Sequence, residues 1–258
     1  MAPSKLDDIA RLVARGGRVT VLTGAGISAE SGIRTFRDAG GLWEEHSIEE
    51  VATPEGFARN PDLVQRFYNE RRRKLREAEP NAARPAFPLG ERGRPVPALA
   101  DLEARLGDRF VLITQNVDDL HERAGSRRVL HMHGELYKAR CVDCEEVVPW
   151  TADIGPADRC RCGAGLRPHI VWFGEMPFFM DVEIPAALRA EVFASIGTSG
   201  TVYPAAGFVA EARANGAATV EVNLEPSGNF RFFDVVLCGK ATAQVPKFVE
   251  AILGGETG

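Results

Sequence analysis

The chain has 258 residues, 45% of them hydrophobic, with 36 acidic residues against 31 basic and a formal net charge of −5. Such a length can bury one sizeable core with a small appendage, and the negative balance argues against nucleic acid or an anionic membrane surface as the main partner, since both need clustered positive charge. No run of about eighteen apolar residues occurs, which excludes a membrane-spanning helix. Four of the five cysteines fall within 22 residues, a pattern that suits metal binding in a reducing compartment better than a disulfide framework.

In chain order, Met1 to Gly16 reads as a helix carried by Leu6, Ile9, Leu12 and Val13. It has no signal-peptide core and no Arg/Ser-rich presequence, so a cytoplasmic location is expected. Val19 to Leu22 reads as a strand that ends in Gly24-Ala25-Gly26. This pairing lets backbone N–H groups approach a pyrophosphate and aims the next helix at the same anion. The third glycine of the dehydrogenase fingerprint is absent. In Phe67-Tyr68-Asn69-Glu70-Arg71, a helical spacing puts Tyr68 and Arg71 on one face. A phenol and a guanidinium pointing into one pocket would bind a carboxylate, the arginine in bidentate fashion. The following Arg72, Arg73 and Lys74 read as a solvated helix face. Arg84 to Pro97 contains four prolines and a Gly-Glu-Arg-Gly turn, which excludes a continuous helix.

Further strands are expected at Phe110–Ile113, Val192–Ile196, Thr219–Asn223 and Val235–Cys238, with Cys238 as a core residue. Their alternation with helical stretches predicts a doubly wound, Rossmann-like parallel α/β sheet, whose ligands bind at the carboxyl ends of the strands. Gln115 and Asn116 end one strand with side chains suited to ribose hydroxyls. Between Met132 and about Trp172 the pattern stops. Cys141 and Cys144, with Cys160 and Cys162, supply two thiolate pairs that can close on one tetrahedral, structural Zn²⁺.

Together the segments Gly24-Ala25-Gly26-Ile27-Ser28 to Thr35-Phe36-Arg37, Thr114-Gln115-Asn116-Val117-Asp118, His131-Met132-His133-Gly134, Val171-Trp172-Phe173-Gly174-Glu175, Gly197-Thr198-Ser199 and Asn223-Leu224-Glu225 closely resemble the sirtuins, NAD-dependent protein-lysine deacylases. The resemblance implies that His133 is the general base, a task suited to an imidazole titrating near neutrality, with Asn116 and Asp118 beside it and Gly134 giving the substrate room. It implies NAD binding by Gly24, Ala25, Gly26, Ser28, Phe36, Arg37, Gln115, Asn116, Asp118, Gly197, Thr198, Ser199, Asn223, Glu225 and Ala241. The acidic Glu225 favours a free ribose hydroxyl, hence NAD over NADP. Read without the family, Asn116 could cap a helix and Asp118 could be a first-turn acid. His121 and His131 are expected to be structural.

In that family the acyl oxygen attacks the nicotinamide ribose, nicotinamide leaves, and the base promotes attack by the ribose 2′-hydroxyl, giving free lysine and O-acyl-ADP-ribose. Val171, Phe173 and Gly174 resemble the segment that pairs with the substrate peptide as an added strand, a mode that tolerates many protein substrates. Ala52, Tyr68 and Arg71 resemble the class that removes succinyl and malonyl groups, and acetyl-lysine, being smaller, could still enter. The second cysteine pair departs from the family's usual C-x-x-C. The expected organisation is a dinucleotide-binding domain from 1–50, 100–132 and 172–258, a helical insertion at 51–99 and a zinc module at 133–171, in a monomer. Competing readings are a Rossmann-type oxidoreductase, a protein mono-ADP-ribosyltransferase and a zinc-ribbon scaffold without turnover. The glycine loop and the His-Gly and Gln-Asn-x-Asp segments disfavour the first.

Overall fold

The computed structural model describes residues 4–33, 46–81, 86–87 and 96–254. The first half of the chain forms α1 (Lys5–Ala14), β1 (Val19–Thr23), α2 (Ile48–Val51), α3 (Pro54–Arg59), α4 (Pro61–Glu77), β2 (Ala86–Phe87), β3 (Val96–Pro97), α5 (Ala98–Leu106) and β4 (Phe110–Thr114). The second forms α6 (Leu120–Arg123), β5 (Val129–His131), β6 (Gly134–Cys141), β7 (Val147–Pro149), β8 (Leu166–Ile170), α7 (Glu183–Ala187), β9 (Val192–Ile196), α8 (Phe208–Ala214), β10 (Ala218–Asn223), β11 (Val235–Cys238) and α9 (Ala241–Leu253).

Six strands pair in parallel in the order β11-β10-β9-β1-β4-β5. The chain moves outward from β1 through β4 to β5, then returns to lay β9, β10 and β11 on the other side, so the order reverses between β1 and β9 and opens the crevice where such sheets bind ligands. Every residue of β1 and of β9 is buried, as a sheet covered on both faces requires. The period-two alternation divides them. Val19, Val21, Val192 and Ala194 face a layer with Ile9, Leu99, Leu102, Val245 and Phe248 from α1, α5 and α9, whereas Leu22 and Phe193 face Ile184, Phe208 and Val209 from α7 and α8. The edge strand β5 was not anticipated, because three residues carry too little periodicity.

The expected helix after the glycine loop is absent among the described residues. Two 3₁₀ turns, Ala25–Ile27 and Ala29–Ser31, follow β1 instead. The stretch rich in proline folds back as the β2–β3 pair, and its residues 88–95 lie outside the described residues.

A second, antiparallel sheet, β7-β6-β8, carries the cysteines. It rests on α4, whose start is set by Asn60, the side chain of which accepts from Leu63 N at 3.1 Å, followed by Pro61 at the first turn. Here the solvated-face reading fails for one residue. Arg73 and Lys74 are exposed, but Arg72 is fully buried, with Nε donating to Leu136 O and Nη1 to Asn69 Oδ1, both at 2.6 Å. Among the described residues it has no carboxylate partner, and burial draws its pKa down to about 10. Cys238 is also corrected: as the last residue of an edge strand it is exposed.

Candidate active site and metal centre

The loops after β1, β4, β5, β9 and β10 meet at the carboxyl end of the parallel sheet. Gly24 N donates to Ile196 O at 3.0 Å and Gly26 N to Gly197 O at 2.9 Å. A Cβ on Gly24 would stand 2.8 Å from Gly197 O, one on Gly26 2.8 Å from Gly197 Cα, and one on Gly197, at φ +64°, 2.5 Å from Ile27 N. The glycines are thus required first by the contact of two loops across the β1/β9 crevice. That contact leaves backbone rather than side chains at the position where a dinucleotide's pyrophosphate lies in such sheets.

Beneath this loop the β4 segment builds a buried polar chain. Asn116 Nδ2 donates to Gly24 O at 3.2 Å and to Ser28 Oγ at 2.9 Å, and Ser28 Oγ donates to Asp118 Oδ2 at 2.9 Å. Asp118 Oδ1 accepts from Leu120 N, the first residue of α6, at 3.1 Å. Gln115 N is tied to Thr23 O at 2.9 Å. Two buried threonines not anticipated from sequence, Thr23 and Thr114, join at 2.9 Å, and His121 Nε2 lies 3.0 Å from Thr23 Oγ1. Asn81, also unanticipated, donates to Ile27 O at 2.7 Å.

Two histidines next but one in sequence receive opposite environments. His133 Nδ1 lies 3.1 Å from Gln115 O. A carbonyl can only accept, so Nδ1 carries the proton and Nε2 presents a lone pair. Burial pulls its pKa below the usual 6.5, against a smaller upward pull from the Gln115 carbonyl, so the ring is a neutral base. His131 Nδ1 faces Asn116 O at 3.2 Å while its Nε2 faces Glu122 Oε1 at 2.8 Å, acceptors on both sides. Burial disfavours its charge, but the hydrogen bond and the charge of Glu122 outweigh burial and raise its pKa. The fold thus favours the charged form of His131, in contrast to His133. His131 borders a cavity of about 510 Å³, together with Glu122, Arg127, Lys138, His169 and Phe178. Gly134, expected to give the substrate room, has another reason: at φ +84°, its Cβ would stand 2.1 Å from His169 O in β8.

On the β9 and β10 side, Asn223 Nδ2 donates to Thr198 O at 2.7 Å and Gly239 N donates to Asn223 O at 2.9 Å, joining three strand ends. Ser199 and Glu225 are exposed beside them, and Ala241 opens α9. Phe36 and Arg37 lie outside the described residues.

Facing His133, Val171 N donates to His133 O at 3.0 Å and Phe173 N to Ala52 O at 2.9 Å, leaving Phe173 and Gly174 at the surface. The next wall is α4. Tyr68 is buried, its hydroxyl accepts from Trp172 Nε1 at 3.1 Å, and burial pushes its pKa to about 12. One turn on, Arg71 is half-buried, with Nη1 donating to Phe67 O at 2.7 Å and its guanidinium over the Phe67 ring.

The four cysteines form the metal centre. Cys141 and Cys162 sulfurs are 3.5 Å apart, Cys144 and Cys160 sulfurs 3.6 Å, and all four lie within 4.8 Å of one another. A tetrahedral Zn²⁺ with bonds of ~2.3 Å needs sulfurs ~3.8 Å apart, so the set fits. The short C-x-C pair is accommodated because Gly163 follows it at φ +93°. With every ligand position taken by thiolate, the ion supplies shape and no open site for chemistry.

The Sir2 family profile matches residues 24–204, more than half of the chain. Curated relatives from Salmonella typhimurium and from Escherichia coli K12, both named NAD-dependent protein deacylase, are 58% identical over 243 residues, covering 92% of this chain and 85% and 83% of theirs. Among solved structures, a Sir2 homolog–NAD complex superposes with a TM-score of 0.83 at 38% identity, covering 97% of this chain and 95% of that one. A Sir2 protein bound to a myristoylated histone peptide gives 0.69 at 34% identity, with 96% of each chain covered. The crevice between β1 and β9, the neutral His133 and the thiolate cluster thus lie in a chain whose sequence and backbone agree with one family over most of their length, and the protein belongs to the Sir2 family.

Proposed function

We propose that this chain, an NAD-dependent protein deacylase, removes succinyl and malonyl groups from protein lysines and also acts on acetyl-lysine, releasing nicotinamide and O-acyl-ADP-ribose. The observation that carries the reading is the placement of Tyr68 and Arg71 on the wall next to His133: Val171 N is bonded to His133 O, and the adjacent Trp172 to Tyr68. A carboxylate entering past the lysine would meet a protonated phenol and a permanent cation.

NAD, when bound, supplies the electrophilic ribose carbon and the leaving nicotinamide. The chain's own groups do the rest. His133 Nε2 takes a proton from a ribose hydroxyl, helped by the carbonyl of Gln115, which stabilises the imidazolium that results. Asn116 and Asp118, held by Ser28, orient the nicotinamide half, and the Gly24–Gly26 and Gly197 loops receive the phosphates. Thr198, Ser199, Asn223, Glu225 and Ala241 bound the adenosine end. The N–H groups of Val171 and Phe173 are already engaged, with His133 O and Ala52 O, so a peptide added along this segment as a strand would have to pair with other backbone groups.

The test is turnover of one peptide carrying acetyl-, malonyl- or succinyl-lysine with NAD, following free lysine, nicotinamide and the acyl-ADP-ribose by mass spectrometry. All three acyl groups are removed, and His133→Ala removes none. Label passing from NAD to protein, with the acyl-lysine unchanged, would instead indicate a mono-ADP-ribosyltransferase.

A further inference from the structure

Tyr68 makes one hydrogen bond among the described residues, and it accepts it. The donor is the indole Nε1 of Trp172 at 3.1 Å, a group with no lone pair to offer in return. The neighbouring Arg71 also has only donors to present. Among the described residues Tyr68's own O–H therefore has no acceptor, and it points away from Trp172 inside a wall where Tyr68 is 6% and Trp172 2% exposed. A buried donor without an acceptor is costly, and a ligand that brings an acceptor relieves that cost.

We propose that Trp172 is a specificity-positioning residue: its N–H occupies the accepting side of the Tyr68 oxygen, which turns the phenol into an obligate donor and makes the end of the acyl pocket donor-only, so that it selects acyl groups ending in a carboxylate. This rests on the reading that Tyr68 and Arg71 receive the acyl terminus. The phenol, with its pKa pushed to about 12, keeps its proton throughout the working range.

Trp172 is well fixed for this task. Its backbone N–H donates to Glu175 Oε2 at 2.8 Å, and the Arg167 guanidinium lies 3.6 Å over its ring. Arg167 is itself held by Glu175 through two hydrogen bonds of 2.8 and 2.9 Å and donates to Ile170 O at 2.8 Å. The Phe57 ring, 5.2 Å away, packs against it. The selecting device thus runs from β8 through Arg167, Glu175 and Trp172 to Tyr68, beyond the Tyr-x-x-Arg pair visible in α4.

A double-mutant cycle tests it, using full-length zinc-loaded protein and kcat/KM for succinyl- and acetyl-lysine forms of one peptide at saturating NAD. Trp172→Phe lowers the succinyl-to-acetyl ratio about tenfold, chiefly through KM for the succinyl peptide. In a Tyr68→Phe background the same change leaves the ratio where Tyr68→Phe alone put it. Should Trp172→Phe fail to fold, as judged by its melting curve, benzothienylalanine at position 172 removes the N–H while keeping the ring's shape. An unchanged ratio, or a fall that persists in the Tyr68→Phe background, overturns the role given to Trp172 while leaving the acyl reading intact. Failure of the wild-type protein to turn over the succinyl peptide at all overturns both.

Discussion

The parallel sheet and the cysteine-bearing sheet hold their shapes by different physics. Among the described residues, the face of the parallel sheet covered by α1, α5 and α9 has 21 buried apolar residues, Phe110 and Phe248 among them. The core around β6 and β8 has five buried residues, two of which are the ligands Cys141 and Cys160. So small a core cannot offset the entropy of ordering its loops. Its shape depends on the four thiolates and on its attachment to α4, and α4 is the helix that carries Tyr68 and Arg71. The difference teaches that the proposed dinucleotide side of the site is built into the main core, whereas the proposed acyl side, Tyr68 and Arg71, is held in part from the metal module.

Removing zinc should separate the two regions most strongly. Structural zinc sites contribute roughly 10–16 kcal/mol of apparent binding free energy at neutral pH, so chelation, or Cys160→Ser, should unfold 134–170 and abolish deacylation. The parallel sheet should stay folded, seen as retained hydrogen-exchange protection in β1 and β9. Collapse of protection in both regions together would show that the main core depends on the metal too.

A smaller break lies at Asn69. Its Nδ2 donates to Ile154 O and its Oδ1 accepts from Ile154 N, both at 2.9 Å, while Arg72 Nη1 donates to the same oxygen. Asn69→Ala strands these buried groups and should cost about 1–3 kcal/mol. The loss should appear as faster exchange around Ile154 and a lower melting temperature. Equal melting temperatures would mean that the module docks without this clasp.

The two histidines sharpen the comparison through pH. Burial lowers the pKa of His133, so the base stays neutral below 6.5, and the acid limb of kcat/KM, which reports the free enzyme, should lie below that value. A limb above 6.5 would contradict the assignment. His131 behaves in the opposite sense, since its folded pKa is raised through Glu122 despite burial. Its stabilisation is complete below the unfolded value and is lost as pH rises through the folded one. Glu122→Gln should therefore lower the melting temperature most below pH 6.5, with the difference fading at higher pH. This is the smallest effect, since Glu122 is half exposed.

Five of the six parallel strands were legible because they are short apolar runs that end in glycine or amide residues, and the metal centre because thiolates at such spacings have few other uses. Other features were hidden for physical reasons. Arg72 sits in a run of cations that reads as a wet helix face, and only the tertiary contact with Leu136 O shows that it is taken inside. Gly24 and Gly26 announce a tight loop but not the opposing Gly197 that requires it. Cys238 looks apolar in a strand pattern, and nothing local says the strand is an edge. The bond from Trp172 to Tyr68 spans 104 positions, a separation at which local sequence patterns carry no information.

The most direct measurement compares wild-type protein with Arg71→Met on succinyl- and acetyl-lysine forms of one peptide. A charge-assisted hydrogen bond contributes roughly 1.5–3 kcal/mol, so the succinyl-to-acetyl ratio of kcat/KM should fall by about one to two decades. An unchanged ratio would contradict the claim that α4 reads the acyl group.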